Sequence, residues 1–312
     1  MTPTPTPGAT EAIVAPELVG VGWFDSRAVQ SASETDPPWT PCHAFVGKVV
    51  GVGVDAQALD GQRVVASPDL VCGVCDLCRA GLSAHCRSRT LLGTPGCDGC
   101  LQERFMLPAR NLTPISDSLD EDRAIFALTL GRALHAAWIV HLEGRPYVTV
   151  LGRGATALLA AQVMTKLNAS VRIVSSCQAT LEAADRFGIR HRPLNDVGRR
   201  ADQDVVLDVT APGGGVDIAA SMVRPRGRII VLRPLAAPGY AANDEVGLSP
   251  IIENEIEVIG CRGARLREAV TMLERSEVIV DGLISKRFQL EHASDAFLAA
   301  GSDDQLRVVV DL

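Results

Sequence analysis

A chain of 312 residues, 47% hydrophobic and 21% charged, is too apolar for disorder and long for one core, so two globular domains are expected. Its net charge of −7, with no Lys/Arg run, argues against a nucleic-acid partner. The opening MTPTPTPGAT lacks the basic and apolar regions of a secretory signal, and no stretch approaches the roughly 18–20 apolar residues of a membrane span.

Residues 12–22 read as a β-stretch followed by a turn at Trp23-Phe24-Asp25, and Pro37, Pro38 and Pro41 stiffen the loop beyond it. The run FVGKVVGVGV (45–54) is β-rich and broken by glycines, as in a small barrel, and QRVVA (62–66) adds a strand. Then Cys72, Cys75, Cys78 and Cys86 crowd together. Four soft thiolates at these spacings, with no histidine or carboxylate among them, point to a closed structural zinc, one per chain. It would hold a lobe with too few apolar residues to order itself. A ferredoxin-type cluster is disfavoured because the usual Cys-Pro is missing. Cysteines grouped this way in so long a chain suit a reducing, cytoplasmic setting better than disulfides. Cys97 and Cys100 read as a turn into a strand, and Cys177 and Cys261 as packing residues at strand ends.

An apolar helix over Leu119–Leu142 leads to YVTVLGRGATA at 147–157, the stretch around which the chain is organised. A β-branched strand runs into Gly152-x-Gly154-x-x-Ala157 and then into LLAAQVMTKL, which has the composition of a helix. In a dinucleotide-binding unit Gly152 would permit the tight turn, Gly154 would admit a pyrophosphate, and Ala157 would let helix and strand pack closely. Strands at 171–175, 204–209, 228–232 and 256–260, interleaved with helical stretches such as 180–188, predict a doubly wound parallel sheet. The amphipathic helix at 265–276, the strand-turn-helix KRFQLEHASDAFLAA and the closing strand RVVVDL do not form another such unit. They are expected to return to the first domain.

NAD enzymes carry an acid for the adenosine ribose at the end of the second strand, and here Ser175 and Ser176 stand in that place. Without a carboxylate to repel a 2′-phosphate, NADP(H) is favoured over NAD(H). Arg153 is then the candidate counter-ion and Thr210 a further cofactor contact.

Taken together, PCHAFVGKVVGVG, GQRVVASPDLVCGVCDLCRAG, LLGTPGCDGCLQERFMLPARNL, the glycine turn, DVVLDVT, RPRGRIIVL and IIENEIEVIG resemble the medium-chain dehydrogenase/reductase superfamily, in its zinc alcohol and polyol dehydrogenase branch. The resemblance runs over nearly the whole chain from about Glu11. It implies an α/β protein with a GroES-like β-rich catalytic domain (1–118), a Rossmann domain (119–261) and a C-terminal return (262–312). It further implies an active-site cleft between the domains, a small-molecule substrate, and a homo-oligomer, dimer or tetramer, paired near strand 256–260. The four cysteines match the family's structural-zinc lobe residue by residue.

The family's catalytic-zinc pattern is not kept. Gly22 stands at the position of the first Cys ligand, and Phe24 where a proton-relaying Thr or Ser is usual. His43 is retained, but Ala44 follows it in place of Glu, and no ligand side chain occurs around Leu128-Thr129-Leu130. Cys42 beside His43 would point to the opposite face of a strand. An open catalytic zinc needs three protein ligands, so that metal is expected to be absent. Asp25 and His43 are then the polar candidates for proton donation or substrate orientation, with His43 alternatively a structural residue. Trp23, Phe24 and Cys42 would line an apolar pocket. This favours a reductase of activated double bonds, iminium ions or carbonyls. A dehydrogenase-like protein with a binding role or non-redox chemistry, and a zinc alcohol or polyol dehydrogenase with non-standard ligands, are the alternatives.

Overall fold

The computed structural model describes residues 6–32, 38–198, 200–210, 214–232 and 246–312, so Pro37 of the proline-rich loop lies outside the described residues. Strand β1 (Glu11–Val21) is buried along most of its length, because it pairs on both edges with β-structure. The turn expected at Trp23-Phe24-Asp25 is instead the start of helix α1 (Trp23–Ser31). Gly22 stays extended, and its amide donates to Asp25 Oδ2 at 2.8 Å, so a carboxylate at the third helical position satisfies a free N-terminal donor. Strands β2 (Ala44–Val52), β3 (Arg63–Ala66) and β4 (Asp69–Leu70) follow, then the single turn α2 (Asp76–Arg79). Strands β5 (Thr90–Leu91), β6 (Phe105–Pro108) and β7 (Leu112–Pro114) complete this part of the chain.

The apolar run expected as one helix over 119–142 is broken. Helix α3 (Glu121–Ala124) is capped by Asp120, whose carboxylate accepts the Arg123 amide, and α4 (Ala127–Val140) begins after a tightened turn at Ile125–Phe126. That turn lets both Ile125 and Phe126 be buried. Residues 121–140 do reach the length and hydropathy of a membrane span, contrary to the sequence reading, but 67% of the apolar window is buried inside the fold. This is the usual composition of a helix enclosed on all sides.

Beyond it run β8 (Tyr147–Gly152), α5 (Gly154–Lys166), β9 (Ser170–Ser175), α6 (Gln178–Arg186), β10 (His191–Pro193), β11 (Gln203–Val209), α7 (Gly215–Ala220), β12 (Val223–Val231), α8 (Leu248–Glu253) and β13 (Glu257–Gly260). They form a parallel sheet in the order β10-β9-β8-β11-β12-β13. The winding direction reverses between β8 and β11, which opens a crevice at their carboxyl ends. The short, polar β10 carries no apolar pattern and was not legible beforehand.

Helix α9 (Leu266–Glu274) packs on α4, and β14 (Lys286–Gln289), α10 (Ala293–Ala300) and β15 (Val308–Asp311) join the first sheet. That sheet has the order β14-β15-β1-β2-β3-β7, with β6 also on β1. Strand β15 lies antiparallel to β1, Val19 opposite Val310. One hydrophobic cluster joins Leu18 and Val46 of the first sheet to Phe126 and Leu130 around α4 and to Leu158 of α5. The two sheets are therefore held by a continuous core rather than by a linker.

Candidate active-site cleft and metal lobe

The glycine turn sits at the reversal point of the parallel sheet. Gly152 has φ +141°, and a Cβ there would come within 2.6 Å of Val209 Cγ2 on the neighbouring strand. Gly154 has φ +72°, a left-handed conformation that side chains disfavour. Ala157 is fully buried, as expected for a residue at the helix–strand contact. The amides that open α5 already have partners in this conformation: Gly154 N donates to Thr180 Oγ1 at 2.9 Å, and Ala155 N to the Leu306 carbonyl at 3.2 Å. Arg153 is ion-paired with Asp303. The segment 303–306 therefore lies across the turn, and Arg153, expected as a free counter-ion for a 2′-phosphate, is committed to a carboxylate.

At the end of β9, Ser175 is buried with its Oγ accepting the Cys177 amide at 3.1 Å, whereas Ser176 is exposed. Thr210 turns back on its own strand, its amide and hydroxyl both donating to Asp208 Oδ1.

A cleft of about 160 Å³ lies beside the turn, bounded by the Gly22–Asp25 corner, His43, α4 and residues 305–308. Asp25 and His43 meet there, with Asp25 Oδ1 3.1 Å from His43 Nδ1. Trp23 and Phe24 also line the cleft. Cys42 does not. It is buried in the core of the first sheet, with a left-handed backbone (φ +72°), so it lies on no strand and the argument from alternating strand faces does not apply. Burial, with Asp25 and Cys100 nearby, pushes its thiol pKa well up, so it is inert packing rather than pocket wall.

The sequence reading overlooked three side chains on the opposite wall. Arg132 and Thr129 project from α4, and Arg307 precedes β15. Arg307 donates to Thr129 Oγ1 at 2.5 Å. Burial lowers the Arg132 pKa to about 10 and lowers that of Arg307 also, the latter opposed by Asp25. The available signal was an arginine inside the otherwise apolar α4 and another at the head of the closing strand.

In the cysteine lobe the four Sγ atoms of Cys72, Cys75, Cys78 and Cys86 all lie within 4.8 Å of one another. Backbone amides are aimed at the sulfurs, Cys75 N at Cys72 Sγ and Cys72 N at Cys86 Sγ, both at 3.4 Å. Amides of Cys78 and Arg87 lower the Cys75 pKa to about 6, which favours the thiolate. The donor set fits a tetrahedral zinc. The lobe is tied to the rest of the chain by Arg262, which reaches Asp69 at 2.7 Å from beyond β13. Among the described residues no other group of three His, Cys, Asp or Glu side chains converges.

The model of the alcohol dehydrogenase GroES-like domain matches residues 8–117. L-threonine 3-dehydrogenase of Chelativorans sp. (strain BNC1) is 28% identical over 296 residues, covering 90% of this chain and 84% of that protein. Residues 8–117 thus form an alcohol dehydrogenase GroES-like domain, and nine-tenths of the chain aligns with dehydrogenases. Among solved structures, a protein of Sinorhizobium meliloti 1021 described as a zinc-binding dehydrogenase bound to NADP superposes with TM-score 0.86 at 23% identity, over 99% of this chain and 94% of that one. An alcohol dehydrogenase of E. coli CFT073 in complex with NADH has TM-score 0.86 at 21% identity, over 99% and 94%. The GroES-like part and the parallel, Rossmann-like sheet match the fold of these dehydrogenases, and the chain is an NAD(P)-dependent oxidoreductase.

Proposed function

We propose that this dehydrogenase/reductase works without a catalytic zinc, as an NADP(H)-dependent reductase of a polarised double bond, iminium ion or carbonyl. The observation that carries this reading is the Asp25–His43 pair, which faces a cleft where, among the described residues, no third metal-ligating side chain joins them. Without a Lewis acid an alcohol keeps its high pKa, so oxidation of simple alcohols loses its main assistance, whereas an already polarised acceptor needs only a hydride and a proton.

A reduced nicotinamide bound at the glycine turn supplies the hydride. The diphosphate fits the turn in kind, since Gly152 and Gly154 bring bare backbone to the start of α5. The Leu306 carbonyl would have to leave Ala155 N for that amide to be free to hold a phosphate. Asp25, held by the Gly22 amide, keeps the His43 ring turned by Nδ1, which leaves Nε2 to deliver a proton to the acceptor. Trp23 and Phe24 make the approach apolar. Ser176, in place of an acid, removes the repulsion that would exclude a 2′-phosphate. The four-cysteine lobe takes one structural zinc. The protein acts in the cytoplasm as a homo-oligomer joined near β13, the edge strand of the parallel sheet.

The test is NADPH consumption with a panel of enones, iminium ions and carbonyl compounds, before and after mild chelation that spares the lobe. Rates unchanged by chelation support the reading. Metal analysis returning two zincs per chain, with efficient oxidation of simple alcohols, would replace it with a zinc alcohol or polyol dehydrogenase.

A further inference from the structure

The charge on the cleft walls is unequal. Among the described residues three arginines (Arg132, Arg153 and Arg307) and His43 face it, against one carboxylate, Asp25. Arg153 is neutralised by Asp303 at the rim. Asp25 is already used on both oxygens, by the His43 ring and the Gly22 amide. Among the described residues Arg307 donates to a hydroxyl, that of Thr129, and makes no ion pair within 4 Å, with Asp25 acting on it only through its charge, and its Nε is buried without a hydrogen-bond partner. A guanidinium placed in this way retains donors in a fork that matches a planar oxyanion. Its burial is costly unless something negative completes it. Phe126, whose ring centroid lies 5.9 Å from the guanidinium carbon, helps to hold the group in place.

We propose that the substrate is a small oxo acid whose carboxylate seats on the Arg307 guanidinium, beside Arg132, with its carbonyl turned toward His43. This rests on the reductase reading above and gives its substrate class. The reaction balances as a reduction. The carbonyl π bond breaks, carbon receives hydride from the reduced nicotinamide, oxygen receives the Nε2 proton of the doubly protonated His43 ring, and a hydroxy acid leaves with oxidised nicotinamide. A carboxylate bonded to the carbonyl carbon also withdraws electrons from it, which suits a cleft lacking a metal.

The cofactor's diphosphate is the other oxyanion that Arg307 would match, and the experiment separates the two. Pyruvate, 2-oxobutanoate and 2-oxopentanoate are titrated calorimetrically into the full chain, with and without saturating NADPH, alongside butanone and the methyl ester of 2-oxobutanoate. The same compounds are assayed for NADPH consumption. At least one acid is expected to bind and react about 100-fold better than its neutral partners. Arg307→Met should abolish that preference while leaving the Kd for NADPH within about threefold. The comparison of acids with neutral compounds needs only the natural chain, so a variant that fails to fold does not remove the test. Acids no better than neutral compounds, while neutral acceptors are still reduced, would overturn the oxo-acid assignment and leave the reductase reading intact. Loss of NADPH affinity in Arg307→Met with acid binding unchanged would place Arg307 on the diphosphate and also overturn it. Acid binding that depends on Arg307, with no NADPH consumed by any acceptor, would uphold the carboxylate seat and defeat the reductase reading.

Discussion

Asp25 ties the first turn of α1 to the ring of His43: one carboxylate oxygen accepts the Gly22 amide at 2.8 Å, and the other lies 3.1 Å from His43 Nδ1. Helix geometry and ring orientation are thus fixed by a single side chain. If His43 delivers the proton, His43→Gln should lower kcat by roughly 10²–10⁴-fold while leaving the thermal midpoint close to that of the parent. Asp25→Asn should alter the pH profile of kcat as well as its size, because it removes the negative charge beside the proton-donating ring. A profile that merely scales down would assign Asp25 to the helix alone.

One zinc per chain is expected from metal analysis, since among the described residues only the lobe brings a complete set of thiolates together. Cys75→Ser should release that metal and increase proteolysis within residues 69–91, because binding energy there is folding energy. Retention of a full equivalent of zinc by the variant would sink the assignment.

NADPH should bind more tightly than NADH, with Ser176 standing where an acid would exclude the 2′-phosphate. Asp303 now holds Arg153, but Asp303 itself is 87% exposed, and an ion pair of that kind contributes only about 0–1 kcal/mol. Asp303→Ala should therefore improve NADPH binding by no more than about fivefold, with a smaller change for NADH. An equal gain for both cofactors in a fluorescence titration would place Arg153 on shared phosphates instead.

His135, stacked on Trp138 at the surface end of α4, has its pKa held below the ordinary 6.5 by partial burial first, then by Arg265 and His85. The unfolded chain thus binds this proton more readily than the folded one. The contribution to stability is present above pH about 6.5 and is lost as the pH falls through the folded-state value. Denaturation midpoints measured between pH 8 and 5 should fall less steeply for His135→Gln than for the parent. Parallel curves would contradict the assignment.

Much of the fold was readable in advance because its signals are local. The glycine turn, the β-branched strands β8 and β11, and the cysteine spacing each follow from chemistry within a few residues. The first turn of α1 was missed because its cap comes from Asp25 inside the helix, after a Trp-Phe pair with no capping character. The break before α4 was missed because Ile125 and Phe126 are as apolar as their neighbours. In the cleft, Asp25 and His43 were identifiable from motif positions, but their pairing was not. Arg307 escaped notice altogether, since its meaning depends on Thr129, a residue far away in sequence. Cys42 was misplaced because its left-handed backbone leaves no trace in the residue pattern.

The pairing of Val19 with Val310, and of Val21 with Val308, has a consequence for how the protein is made. Domains emerging from a ribosome generally fold in order of synthesis. Here β1 is translated early and β6 soon covers Glu11–Val14, yet Leu18–Val21 stay without their partner on that edge until β15 has been added, after the entire parallel sheet. Loss of β15 by a late stop codon or by proteolysis would therefore damage the domain that was begun first. The nascent GroES-like domain carries a partly open, apolar strand edge through most of translation, which is the interval in which a chaperone has something to protect.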